Sequence, residues 1–238
     1  MMKKIKHIAL FSLMFFMSHS VMAASTPTSD TTRHVKTTQK VVALTFDDGP
    51  SEPYTQQILG VLNKNNVKGT FYVLGGNAKE YPKIVKQIMS EGHELGNHSM
   101  YHDKMKNRSV DKIYNDINSV DTILRNLGYQ KEITFRAPFG ITSDNLHAAL
   151  LKLNKRMVLF TFLPQDWTNI SSQQIHDNVM KELKPGLIIT LHDGGKRRDN
   201  TVKATQMLID TLKQQGYRMV TVSELLSLKG QNAVSLHE

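Results

Sequence analysis

The 238-residue chain contains no cysteine and only one tryptophan. Without cysteine there is no disulfide frame, no thiolate nucleophile and no Cys-ligated zinc site, so any bound metal must rest on histidine and carboxylate. Long apolar runs are missing as well. The N-terminal one, residues 8–18, holds about 11 residues against the ~20 that span a bilayer. Lys3, Lys4 and Lys6 precede it, and Val21, Ala23 and Ala24 follow. That is the layout of a secretory signal peptide, residues 1–23, cleaved after Ala23, rather than of a retained anchor. The expectation is an exported protein, periplasmic or secreted, with no stable membrane span once the signal is removed. A basic run interleaved with aromatic residues is also lacking, so the formal charge of +9 is not read as a nucleic-acid site. It suits an anionic surface such as a cell wall.

What is present begins with a Thr/Ser-rich stretch, residues 24–40, which reads as a flexible leader. One domain is expected over residues 41–228, with residues 229–238 as a C-terminal tail. Within the domain, β-like runs at residues 41–46, 68–74, 93–97, 132–136, 156–163, 186–192 and 217–222 alternate with amphipathic helical patterns. Repeated strand–helix–strand order means a parallel sheet with helices outside it. "DDGPSEP" after the first run carries acid where a dinucleotide turn needs glycines and backbone donors. An incomplete (β/α) barrel of about seven strands is therefore preferred over an open doubly wound sheet.

Five of the seven runs end in unusual polar residues: Asp47-Asp48, "HSMYH" (98–102), "RAPFG" (136–140), "LPQDW" (163–167) and "LHDGG" (191–195). In parallel α/β folds the strand C-termini meet at one face, which carries the site. Adjacent carboxylates at 47 and 48 repel unless a cation holds them. His98 and His102 are four apart, and on a helical turn both imidazoles project from one side and can grip one ion. With one carboxylate they make a sufficient shell for a catalytic Zn²⁺ that keeps a position open for water. One aspartate then ligates, and the other is free to take a proton. Arg136 is placed to pair with the free carboxylate. His192 is a candidate general acid for a leaving amine or alcohol, and Asp166 a partner for its far ring nitrogen.

Those five segments, in this order, resemble the signature motifs of NodB-type polysaccharide deacetylases (carbohydrate esterase family 4), and the resemblance spans roughly residues 41 to 225. It implies a distorted (β/α) barrel. It implies Asp47 as general base, Asp48, His98 and His102 as metal ligands, Arg136 orienting Asp47, and His192 as general acid partnered by Asp166. It further implies that the backbone N–H of Phe139 binds the oxyanion and that Trp167 and Leu191 wall a pocket for the acetyl methyl. Phe139 stands where the family commonly has Tyr, and Pro164-Gln165 where a Ser or Thr often precedes the acid. The implied cofactor is one divalent ion, Zn²⁺ by first choice, with Co²⁺, Ni²⁺ and Mn²⁺ open. The implied substrate is an acetylated envelope or extracellular polysaccharide, peptidoglycan first, with chitin oligomers or O-acetylated xylan as alternatives. Oligomeric state is not assigned.

Two rivals of other classes are weighed. The facial triad of non-haem iron oxygenases also uses two His and a carboxylate, but with one His far from the other in a β-barrel scaffold. A non-catalytic carbohydrate-binding protein on this fold predicts a gap in the acid, base or ligand set, and every position is filled. His93 and His147 are read as packing or surface residues, and His34 and His237 as belonging to mobile termini.

Overall fold

The computed structural model describes residues 31–229, so the expected signal peptide, most of the tail and His237 lie outside the described residues. Its centre is β2 (Val41–Asp47), buried along its whole length because both its faces are covered. Strand alternation sorts its side chains. Val42, Leu44 and Phe46 pack outward with Ile58, Leu59 and Leu62 of α1 (Tyr54–Lys64) and Leu208, Ile209 and Leu212 of α7 (Asp199–Gln214). Val41 and Ala43 face the interior with Tyr72, Val158, Ile188 and Val220. A period-2 chain between two apolar layers thus presents its last inward residue, Asp47, at the mouth.

All named strand pairings are parallel. β4 (Glu94–Asn97), β3 (Thr70–Val73), β2 and β6 (Ile188–His192) lie side by side, and β7 (Arg218–Val220) pairs with the first half of β2. From β4 the circuit continues through isolated bridges, Asn97 to Phe135 and Phe135 to Met157, into β5 (Met157–Val158). β5 pairs with β1 (Thr31–Thr32), and an antiparallel bridge from His34 to Leu187 returns the circuit to β6. The result is the expected distorted (β/α) barrel, closed on one side by single bridges rather than full strands.

That closing side differs from the sequence reading. The leader was expected to be flexible up to residue 40, with the fold starting at Val41, yet β1 lies within it. Val35 is 1% exposed, and its N–H donates to the Gly186 carbonyl at 3.1 Å. A Cβ on Gly186 would overlap the Val35 carbonyl, so this close approach needs glycine. His34 is held too, its Nε2 2.8 Å from the Pro185 carbonyl. Two-residue strands carry no periodicity, which hid this segment among its threonines. Conversely, residues 132–136 contribute a bridge rather than a strand, and most of 156–163 is loop.

The long helices stand where the patterns put them. In α4 (Val110–Asn126), Ile113, Ile117, Val120 and Leu124 form the buried stripe, and the Ser109 hydroxyl caps the start by accepting from the Lys112 N–H. α3 (Pro82–Ser90), α5 (Asp144–Lys152) and α6 (Ser172–Lys181) follow the same logic. Two short helices, α2 (Gly75–Glu80) and α8 (Val222–Ser227), carried too few residues to show a period. No helix among the described residues is long and apolar enough to cross a membrane.

Candidate active site

Asp47 and His192 are register partners on β2 and β6, so the two strand ends stand level at the mouth. Asp47 is 2% exposed. Its Oδ1 accepts from Arg136 Nη1 at 2.7 Å, and the same nitrogen donates to Thr45 Oγ1 at 2.8 Å. Arg136 is fully buried, donates through Nε to the Val158 carbonyl at 3.2 Å, and lies 4.0 Å from the Tyr72 ring centroid. Burial raises the Asp47 pKa, while the Arg136 and His192 charges and the Arg136 hydrogen bond pull it down. Of the two carboxylates, Asp47 is the one locked by a cation.

Asp48 turns the other way, in a left-handed conformation with φ 72. Its Oδ1 lies 3.6 Å from His98 Nε2 and 3.5 Å from His102 Nε2. The ligand atoms of these three residues fall within 4.8 Å of one another. That Oδ1 is buried and has no hydrogen-bond partner, which is costly unless a cation answers it. His98 is poised as a ligand: its Nδ1 donates to the Arg136 carbonyl at 2.8 Å, leaving the Nε2 lone pair toward Asp48. Burial holds its pKa down at about 3, so the ring is neutral. The donor set fits a divalent ion.

The pair reaches this geometry by a different route from the helical turn expected of their spacing. Residues 98–102 form a loop in which Ser99 (φ 73) and His102 (φ 61) are left-handed. The Ser99 hydroxyl stabilises it by accepting from the His102 N–H at 3.0 Å. Phe139 (φ 58) and Gln165 (φ 64) repeat the pattern in two further connecting segments. Backbone strain of about 1–3 kcal/mol each persists where the surroundings over-determine it, and here it collects around one cleft.

On the far side, Asp166 grips His192 twice, with Oδ1 2.8 Å from the ring Nδ1 and Oδ2 accepting from the His192 N–H at 2.8 Å. Thr201 Oγ1 also donates to Oδ2, at 3.0 Å. Burial opposes protonation of His192, but the Asp166 hydrogen bond and the charges of Asp166, Asp47 and Asp48 outweigh it, raising the pKa to about 8. The Trp167 ring meets the imidazole edge-on at 5.3 Å.

These residues line one cleft of about 500 Å³ that holds Asp47, Asp48, His98, His102, Phe139, Trp167 and His192. Arg136 stands behind it. Leu191 does not belong to it: fully buried, it packs in the outer layer with Leu187 and Ile189. Period-2 alternation puts residue 191 on the opposite face from His192, a signal available in the sequence. The apolar wall is completed instead by Ala137, Phe160 and Leu163, none singled out beforehand. Asp193 was missed as well. Its Oδ2 accepts from Thr55 Oγ1 at 2.6 Å, and burial pushes its pKa to about 7, against the Thr55 bond and with the charges of Asp48 and Asp47. His93 and His147 stay outside the cleft, as expected.

The family described as "Polysaccharide deacetylase" matches residues 34–158. The chain belongs to the polysaccharide deacetylase family. A peptidoglycan-N-acetylglucosamine deacetylase of Bacillus cereus is 38% identical over 205 residues, 85% of this chain and 96% of that protein. The peptidoglycan-N-acetylmuramic acid deacetylase PdaC of Bacillus subtilis is 35% identical over 81% of this chain, but that match spans only 40% of the relative. A chitooligosaccharide deacetylase of Sinorhizobium fredii is 32% identical, covering 74% and 87% of the two chains. Among solved structures, a peptidoglycan N-acetylglucosamine deacetylase in complex with an N-hydroxybenzamide superposes with a TM-score of 0.78 at 34% identity, covering 82% and 91%. A family pseudoenzyme from Bacillus anthracis reaches the same TM-score at 28% identity, covering 84% and 69%. The barrel by itself therefore does not secure activity within this family.

Proposed function

We propose that the protein is a metal-dependent N-deacetylase acting on N-acetylhexosamine residues of an envelope or extracellular glycan, peptidoglycan first; the alternative is a deacetylase of chitin oligomers, or of O-acetylated xylan by ester hydrolysis. The observation that carries this is the division of labour between adjacent aspartates: Asp47 is neutralised by Arg136 at 2.7 Å, while Asp48 aims a partnerless oxygen at two imidazole nitrogens. Asp48, His98 and His102 would hold a divalent ion, Zn²⁺ by first choice among Zn²⁺, Co²⁺, Ni²⁺ and Mn²⁺. When bound, such an ion supplies Lewis-acid polarisation and lowers the pKa of water.

The chain's own groups supply the rest. Asp47, kept ionised by Arg136, accepts the proton of the attacking water. The main-chain N–H of Phe139 helps hold the oxyanion, its aim set by the left-handed backbone there. His192, its Nδ1 proton fixed on Asp166, gives a proton from Nε2 to the departing amine. Trp167, Phe160 and Leu163 exclude water from the acetyl methyl. Export, through the signal expected at residues 1–23, belongs to the same proposal, and N-terminal sequencing of the exported protein tests it.

The test of function pairs two variants on peptidoglycan and chitin oligomers, with acetyl loss read by mass spectrometry and metal content by elemental analysis. Asp47→Asn keeps the ion and stops turnover, whereas Asp48→Ala loses both. An active Asp47→Asn protein, or wild type unaffected by complete metal removal, refutes the assignment.

A further inference from the structure

Two charged residues that line the cleft, Lys196 and Arg198, have no role in the chemistry above. Arg198, the residue that precedes α7, is only 5% exposed, yet among the described residues it forms no ion pair. Its one hydrogen bond runs from Nη1 to the neighbouring Arg197 carbonyl at 3.3 Å, and its Nε is buried without a partner. Arg198 is one of the residues that line the cleft. A Cβ built on Gly195 would meet its Nη2 at 3.1 Å and Asp48 Oδ2 at 3.8 Å, so the fork and the metal-ligating carboxylate face one point above that glycine. Lys196 lines the same wall and is exposed.

Charge in the cleft is unbalanced in consequence. Asp47 is matched by Arg136, Asp166 by His192, and Asp48 would be matched by the ion. Lys196 and Arg198 remain as surplus positive groups. Nη2, the nitrogen beside Gly195, has no hydrogen bond among the described residues and is not one of the buried atoms, so it is the donor that an acceptor entering the cleft can reach. A guanidinium this short of acceptors is costly to keep buried. Its planar fork matches the two oxygens of a carboxylate.

We propose that Arg198 binds a carboxylate borne on the glycan, so that the site selects N-acetylhexosamine chains carrying lactyl carboxylates, as muramyl glycans do, over neutral chains such as chitin. The proposal rests on the deacetylase reading of the same cleft. Lys196 adds long-range attraction, while Arg198 supplies the directed hydrogen bonds.

The experiment compares two substrates that differ only in that charge: peptide-free peptidoglycan glycan strands with free lactyl carboxylates, and the same strands methyl-esterified. For the wild type, kcat/KM for acetate release is expected to favour the acid form by about tenfold to a hundredfold, the discrimination of a buried charge-assisted contact. Arg198→Gln should bring that ratio close to one, and Arg198→Lys should restore part of it. Melting temperature and metal content are measured for each variant. Wild type that favours neither form overturns the proposal and leaves the deacetylase reading standing. So does an Arg198→Gln protein that keeps the preference, or one that loses both activities in equal proportion. Wild type that releases acetate from neither form removes the deacetylase reading itself, and the proposal with it.

Discussion

Replacing Arg136 by Met keeps most of the buried stem and removes the charge. In the wild type the guanidinium is fully buried and gives hydrogen bonds to Asp47, Thr45 and the Val158 carbonyl. Removing one partner of a buried ion pair costs about 3–5 kcal/mol, because the other charge is left in low dielectric. For a domain of this size, 1 kcal/mol moves Tm by about 2–4 °C, so a fall of about 6–20 °C is expected at neutral pH. Asp47 can escape only by binding a proton, and its pKa, already raised by burial, must rise further. The folded pKa then lies well above the ordinary 3.8. The destabilisation is therefore present at neutral pH and fades as the pH falls toward that unfolded value. Calorimetry of wild type, Arg136→Met, Asp47→Asn and the double variant closes a thermodynamic cycle. The double variant should be more stable than Arg136→Met alone, with a coupling of at least about 2 kcal/mol. Additivity within about 0.5 kcal/mol would show that the two side chains do not depend on one another, and the account of Asp47 as a base held ionised by Arg136 would fall.

Other outcomes follow from the same geometry. If His192 is the proposed general acid it must be protonated to donate, so kcat/KM should fall as the pH rises through about 8. Asp166→Asn should move that limb to lower pH, because burial then acts without its main opponent. Its contribution to stability has the same sign, full below about 6.5 and lost as the pH passes 8. Leu191→Ala should cost about 2–5 kcal/mol in denaturant unfolding and leave KM unchanged, since the side chain fills the outer layer rather than the cleft. Gly194→Ala should empty the metal site, as read by elemental analysis, because a Cβ there would overlap the Asp48 carbonyl and displace the ligand loop.

The residues that gather around the cleft were more legible in this sequence than the architecture that holds them. Asp47, Asp48, His98, His102, Arg136, Asp166 and His192 stood out because polar residues directly after apolar strands are uncommon and the parallel topology gathers them. The loop carrying His98 and His102 was not legible, since left-handed Ser99 and His102 depend on contacts that spacing does not encode. The barrel's closure through residues 31–35 was hidden because single bridges need no pattern. Leu191 was misplaced by carrying a family role onto a position that strand alternation turns outward. Arg198 sat in "GGKRRDN", which in sequence is only a basic loop.

The pairing of Asp47 with His192 across β2 and β6 has an evolutionary side. Neighbouring strands stay about 4.8 Å apart whatever the connecting segments do. The proton acceptor and proton donor of the proposed mechanism are thus spaced by main-chain ladder bonds rather than by loops. Insertions or deletions in the rim segments can redraw the sugar-contacting surface and leave that spacing intact, so new glycan preferences are open to such a protein without rebuilding its reactive centre.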